Sequence, residues 1–193
     1  MSRYTDPALA AFLPSTRQVF ERQRCFAEHC AGQLDDGKFF ATLAPGLNSV
    51  GQTMQHMAGN MKSRWTGFLA SDGEKPWRDR EAEFAEPTGN VGDARAAIMS
   101  AWAEGWRLLN LALDDAEAAD AAARVHIRGV PHSIEMAIVR QIDHYGYHVG
   151  QIATVARGLV GNDRWRWFTV APGGTAAFNR SIGYAAGDAS PPA

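Results

Sequence analysis

Cysteine is scarce in this 193-residue chain: only Cys25 and Cys30 occur. Five residues apart on a helix places them roughly 140° apart around the axis, a poor geometry for a disulfide. A disulfide-stapled secreted scaffold is therefore excluded, and reduced thiols in a cytoplasmic protein are expected. Long apolar runs are missing too. No segment approaches the ~20 apolar residues of a membrane-spanning helix. Asp6 and Pro7 stand where an export signal would begin its apolar run. Charge of one sign is also lacking. With 19 Lys+Arg against 21 Asp+Glu, the formal charge of −2 provides no general field for nucleic acid or an anionic membrane. Nor is there a Gly-x-Ser-x-Gly element or a dinucleotide glycine fingerprint.

What the chain has is helical periodicity and enough apolar content, 46%, to bury a core. A first helix is expected from Pro14 to Gly32, followed by a connection over 34–45. A second, capped by Asn48 or Ser49, runs to about Leu69. Its stripe of Leu47, Val50, Met54, Met57, Met61, Trp65 and Phe68 steps by three and four and reads as core or dimer interface. Residues 71–92 are polar and interrupted by Gly73, Pro76, Pro87 and Gly89, a long loop of the kind that often carries function. A third helix covers about 93–113, and an alternating piece over 124–128 puts Val125 and Ile127 on one side. A fourth, starting near His132 or Ser133, ends at Gly161. A short helical piece over 175–179 follows in an irregular tail, frayed from about 184. One domain over 1–193, an all-α four-helix bundle, accounts for this pattern.

The chemistry-bearing residues are histidines. His144 and His148, at i and i+4 on the fourth helix, share one face and can hold one metal ion. Tyr145-Gly146-Tyr147 occupies the positions where a zinc protease would carry its general-base Glu. Gln141 and Gln151 flank the pair as hydrogen-bond partners for the ligand rings. Two half-exposed histidines at a helix seam are the plainer alternative. His56 is the candidate third ligand, in a polar strip with Thr53, Asn60 and Arg64 that a bundle can turn inward or leave solvated. His29, His126 and His132 read as surface or loop residues. Asn60, Arg64, Trp65 and Tyr147 are pocket candidates by position. Asp143 is turned about 100° from His144 on the helix, so no dedicated general base is evident.

Other motifs fall away. Residues 32–39 nearly match a phosphate-binding loop, but Phe39 replaces the required Ser or Thr and no strand precedes it. Arg164-Trp165-Arg166-Trp167 suits packing of the tail on the helices better than stacking on bases.

His56-Met57-Ala58-Gly59-Asn60, followed by Asp143-His144-Tyr145-Gly146-Tyr147-His148-Val149-Gly150-Gln151-Ile152, resembles the DinB/YfiT-like superfamily. Leu47-Asn48-Ser49 and Arg78-Asp79-Arg80-Glu81-Ala82-Glu83-Phe84 are similar to an uncharacterised branch of it. The resemblance covers roughly Val19 to Asn179. It implies a four-helix bundle with a crossover connection. It implies a divalent metal, zinc or nickel, on His56, His144 and His148, and frequent homodimers. It also implies an activity of the low-molecular-weight-thiol transferase or isomerase kind toward a small-molecule ligand. Three neutral imidazoles leave a coordination position open, the pattern of a catalytic site. The expectation is a metal-dependent thiol S-transferase or hydrolase; a non-catalytic, stress-related dimeric bundle that binds metal or ligand is the alternative.

Overall fold

Four long helices carry about half of the chain in the computed structural model, which describes residues 7–120 and 122–184. The elements in order are α1 (Pro7–Ala31), α2 (Asp36–Phe39), α3 (Val50–Trp65), α4 (Val91–Glu117), β1 (Arg124–Ile127), β2 (Val130–Ser133), α5 (Ile134–Val160) and α6 (Thr175–Ser181). The architecture is predominantly helical with one two-stranded antiparallel sheet. Among the described residues, no helix is long and apolar enough to cross a membrane.

Several boundaries depart from the periodicity. The first helix begins at Pro7, not Pro14, because Leu9 and Leu13 are buried and extend its apolar face through two earlier turns. Pro14 therefore sits inside α1, where it removes one backbone donor. The connection over 34–45 contains the single turn α2, capped by the Asp35 side chain, which accepts from the Lys38 N–H. The second helix stops at Trp65, four residues earlier than expected, and α4 extends beyond 93–113 at both ends. The alternating piece gains a partner strand: β1 pairs Arg124 with Ser133 and Ile127 with Val130. The short piece at 175 runs on to Ser181, and the frayed tail from about 184 lies almost wholly outside the described residues. Cys25 and Cys30 are both free thiols.

Packing follows from the stripes. α1 lies along α5 and also touches α4, while α3 lies against α4 and α5. At the centre, Phe20 of α1 meets rings from the other three long helices: Trp65 at 6.0 Å, Trp106 at 6.2 Å and Tyr145 at 5.8 Å. These tilted and edge-on contacts add to the area each ring buries. The methionine stripe is core, since Met54, Met57 and Met61 are fully buried. The tail packs down as expected, with Phe168 stacked on Phe26 and Trp165 buried.

Three devices fix the segments around the future site. Ser49 and Gln52 cap α3 reciprocally: the Ser49 hydroxyl accepts from the Gln52 N–H and the Gln52 carbonyl accepts from the Ser49 N–H. The Gln52 amide then donates to the Phe84 carbonyl and Gln55 donates to that of Ala82, holding a 3-10 turn over Ala82–Phe84 on α3. The hairpin turn has positive φ at Arg128 (53°) and Gly129 (74°), as a two-residue turn between twisted strands requires. Asp72 rewards that strained Arg128 backbone by accepting both turn N–H groups, at 2.9 and 2.7 Å. The loop before Lys75 is thereby pinned over the end of α3, where Ser63 donates to the Gly73 carbonyl and accepts from the Lys75 N–H.

At Gly105 a Cβ would lie 2.9 Å from the Cβ of Met61, so α3 and α4 approach more closely than any side chain there permits. Gly105→Ala is expected to destabilise the protein by about 1–3 kcal/mol through overpacking, read as a lower urea midpoint at unchanged slope. An unchanged midpoint would show that the helices separate freely.

Candidate metal centre

α3 and α5 each present imidazoles to the same space. His56 is 4% exposed and His148 8%, with His144 half-buried. One ligand nitrogen from each lies within 4.8 Å of the others. Nε2 of His144 and Nε2 of His148 are 3.1 Å apart. Two nitrogens bound at about 2.0–2.1 Å in a tetrahedral shell sit about 3.3 Å apart, so this pair already has ligand spacing. The third ring brings a nitrogen within 4.8 Å of both.

On His56 and His148 the protons are placed to match. Nδ1 of His56 donates to Glu83 Oε2 at 2.8 Å, so Nε2 is the nitrogen left to take a metal. Nδ1 of His148 donates to Gln151 Oε1 at 2.7 Å, and the Gln151 amide nitrogen donates onward to the Tyr147 hydroxyl. Carboxylate and amide acceptors behind ligand imidazoles set the tautomer and the ring orientation. Among the described residues, Nδ1 of His144 is buried without a partner. Burial, then the neighbouring His148 and His56, push the His144 imidazole down to about 3, and burial lowers His148 as well. Both rings are therefore neutral at pH 7, as metal ligation requires. The donor set fits a divalent cation of the zinc type.

Glu83 organises the wall behind His56. Arg78 grips it with two parallel bonds, Nε to Oε1 at 2.7 Å and Nη2 to Oε2 at 2.8 Å. Burial raises the Glu83 carboxyl, but hydrogen bonds from His56 and Arg78 and the Arg78 charge outweigh it and hold the group below its usual range. Phe84 stacks on the His56 ring at 4.6 Å. The carboxylate reaches His56 only because position 59 is glycine: a Cβ there would lie 2.3 Å from Glu83 Oε1.

A cavity of about 860 Å³ opens in front of the three rings. Asn60, Arg64, Gln141, Tyr147 and Gln151 line it. Asn60 also accepts from the Tyr145 hydroxyl at 3.3 Å. Trp65 does not line it. Its ring is 2% exposed in the core, where it meets Phe20 of α1 edge-on and its N–H donates to the Tyr145 hydroxyl of α5. Gln141 is buried in the wall but bonds to neither histidine, and its Oε1 has no partner. Asp143, turned from His144 by helix geometry, is exposed at the cavity edge. His29 instead meets the Arg166 carbonyl, and His126 is exposed. Sequence reasoning missed Glu83 as the partner of His56 and Arg78 as its clamp. Their i, i+5 spacing in an irregular loop matches no periodic template.

A family model described as a protein of unknown function (DUF1572) matches residues 8–174. No curated protein and no solved structure matches the chain.

Glu83→Gln is expected to weaken divalent-metal affinity about 10–100-fold in a protein less stable but still folded, measured by competition with a chromogenic chelator. Gly59→Ala should do the same by displacing the carboxylate. Equal affinity in both variants would leave Glu83 a purely structural ion-pair partner. The lowered His144 and His148 values have a signed consequence in metal-free protein. Protons bind the unfolded rings from about pH 6.5 downward but the folded His144 only near pH 3, so stability falls as pH drops through that window. His144→Gln should flatten the decline of melting temperature between pH 6.5 and 5; an unchanged slope would contradict this.

Proposed function

We propose that this chain, which belongs to the DUF1572 family, holds one divalent metal, zinc or nickel, through His56, His144 and His148, and acts on a small-molecule ligand as a low-molecular-weight-thiol S-transferase or a hydrolase. The frame in this reading is a four-helix bundle of the DinB/YfiT-like type with a crossover connection. The observation that carries it is the convergence of three ligand nitrogens, within 4.8 Å, from two helices far apart in the chain. A bound cation of this kind would act as a Lewis acid with an open position, bringing the pKa of a water or thiol toward neutrality.

The chain's own residues supply the rest. Glu83 holds the His56 proton on Nδ1, and Gln151 holds that of His148 on Nδ1. Phe84 covers one face of the His56 ring and keeps water from it. Tyr147 and Asn60 line the cavity as hydrogen-bonding groups for a ligand. A bundle that binds metal or ligand without turnover draws on a different observation. Both oxygens of Glu83 are engaged by His56 and Arg78, so that buried carboxylate is not free to act as a base.

Protein purified without an affinity tag is expected to contain about one zinc or nickel per chain, and His56→Ala, His144→Ala and His148→Ala each to lose it. Full metal content in all three variants would end the proposal. A panel of thiols with electrophilic acceptors separates the two readings. Turnover that disappears on chelation and returns with metal supports the enzyme; equal rates in both states support the binding protein.

A further inference from the structure

We infer that Arg64 is the anchor for an oxyanion carried by the cavity's ligand, a carboxylate or a phosphate-type group. Arg64 stands in the last turn of α3 and is 5% exposed, yet among the described residues its guanidinium makes no hydrogen bond. Nε and Nη1 are buried without partners, and Nη2 is 3.9 Å from Glu74 Oε2, beyond hydrogen-bond distance. Glu74 is already shared: Arg78 approaches it at 3.3 Å and Arg128 at 3.5 Å. The contrast with Arg78 is instructive. Both arginines are buried in the same wall, but Arg78 is saturated by Glu83 and Arg64 is left over.

A buried cation without hydrogen bonds is a standing cost to the fold. The loop nevertheless accommodates it, since a Cβ at Gly73 would lie 2.5 Å from Arg64 Nη1 and 3.0 Å from its Cδ. The surroundings carry the same sign. Five arginines and two carboxylates line this cavity, in a chain whose formal charge is −2. A guanidinium fork is matched by the paired oxygens of a carboxylate or phosphate-type group. Arg64 lines the same cavity as His144 and His148, so the anion is one end of a molecule whose other end reaches the histidines. That arrangement rests on the reading proposed above; anion capture itself needs no metal.

Isothermal calorimetry with sodium acetate and with sodium sulfate, against sodium chloride, tests this on the full chain in chelator-treated and zinc-loaded forms. Wild-type protein should bind acetate or sulfate in both forms. Arg64→Met should weaken that binding at least tenfold, and Arg64→Lys, which keeps the charge but not the fork, by less. Arg107→Met, at an exposed α4 arginine that does not line the cavity, should leave it within threefold. Preference for acetate marks a carboxylate ligand, and preference for sulfate a phosphate-type one. A structural arginine would move a different readout, so Arg64→Met should melt no lower than wild type without anion. Undiminished anion binding in Arg64→Met, no binding of either anion to wild type, or an Arg64→Met protein that melts far lower or fails to fold would each overturn the inference. Anion capture without zinc uptake would sink the metal proposal alone.

Discussion

Glu83 accepts from His56 and from Arg78 at once, and the site depends on that shared carboxylate. Leaving a buried carboxylate unpaired, or removing it from beneath a buried guanidinium, costs several kcal/mol. The loop therefore cannot lift from α3 without exposing or orphaning three polar groups together. Gln52 and Gln55 hold the same turn by its carbonyls, so it is attached through backbone and side chain alike. The consequence for chemistry is orientation: Glu83 fixes the His56 Nδ1 proton, and the ring sits 4.9 Å from that of His148 and 5.6 Å from that of His144.

The opposite wall is built by a different economy. The hairpin between α4 and α5 presents two backbone N–H groups to Asp72, and that carboxylate fixes the segment carrying Gly73 and Glu74. Burial raises the Asp72 carboxyl, but three backbone N–H bonds hold it down to about 2. The small sheet has little core of its own beyond Val125 and Ile127. Its contribution is to place a loop against the end of α3, where Arg64 is enclosed. Buried polar groups in this protein thus concentrate on one side of α3, while its methionine side fills the core.

That division explains which parts of the structure were legible in the sequence. The long helices were, because apolar stripes at three- and four-residue steps record which faces are buried. Their ends were less so: Pro14 reads as a start, and only the burial of Leu9 and Leu13 overrides it. His144 and His148 were legible as a pair because one helix fixes their geometry. His56 is less legible, because spacing alone does not decide whether its polar strip turns inward; the structure brings the three rings together. Trp65 was misplaced because proximity to Arg64 in sequence says nothing about facing the same way on a helix. Glu83 and Arg78 were beyond reach as a clamp, since a loop has no period. Gly59, whose missing side chain makes room for the carboxylate, was visible only as part of a motif.

The central claim is that three imidazoles from α3 and α5 close around a single cation. Diffraction data collected on either side of the zinc or nickel absorption edge test it directly. The account predicts one anomalous peak about 2.0–2.1 Å from Nε2 of His56, His144 and His148. No peak there after metal loading, or a peak bound by only His144 and His148 with His56 still turned to Glu83 alone, would contradict it.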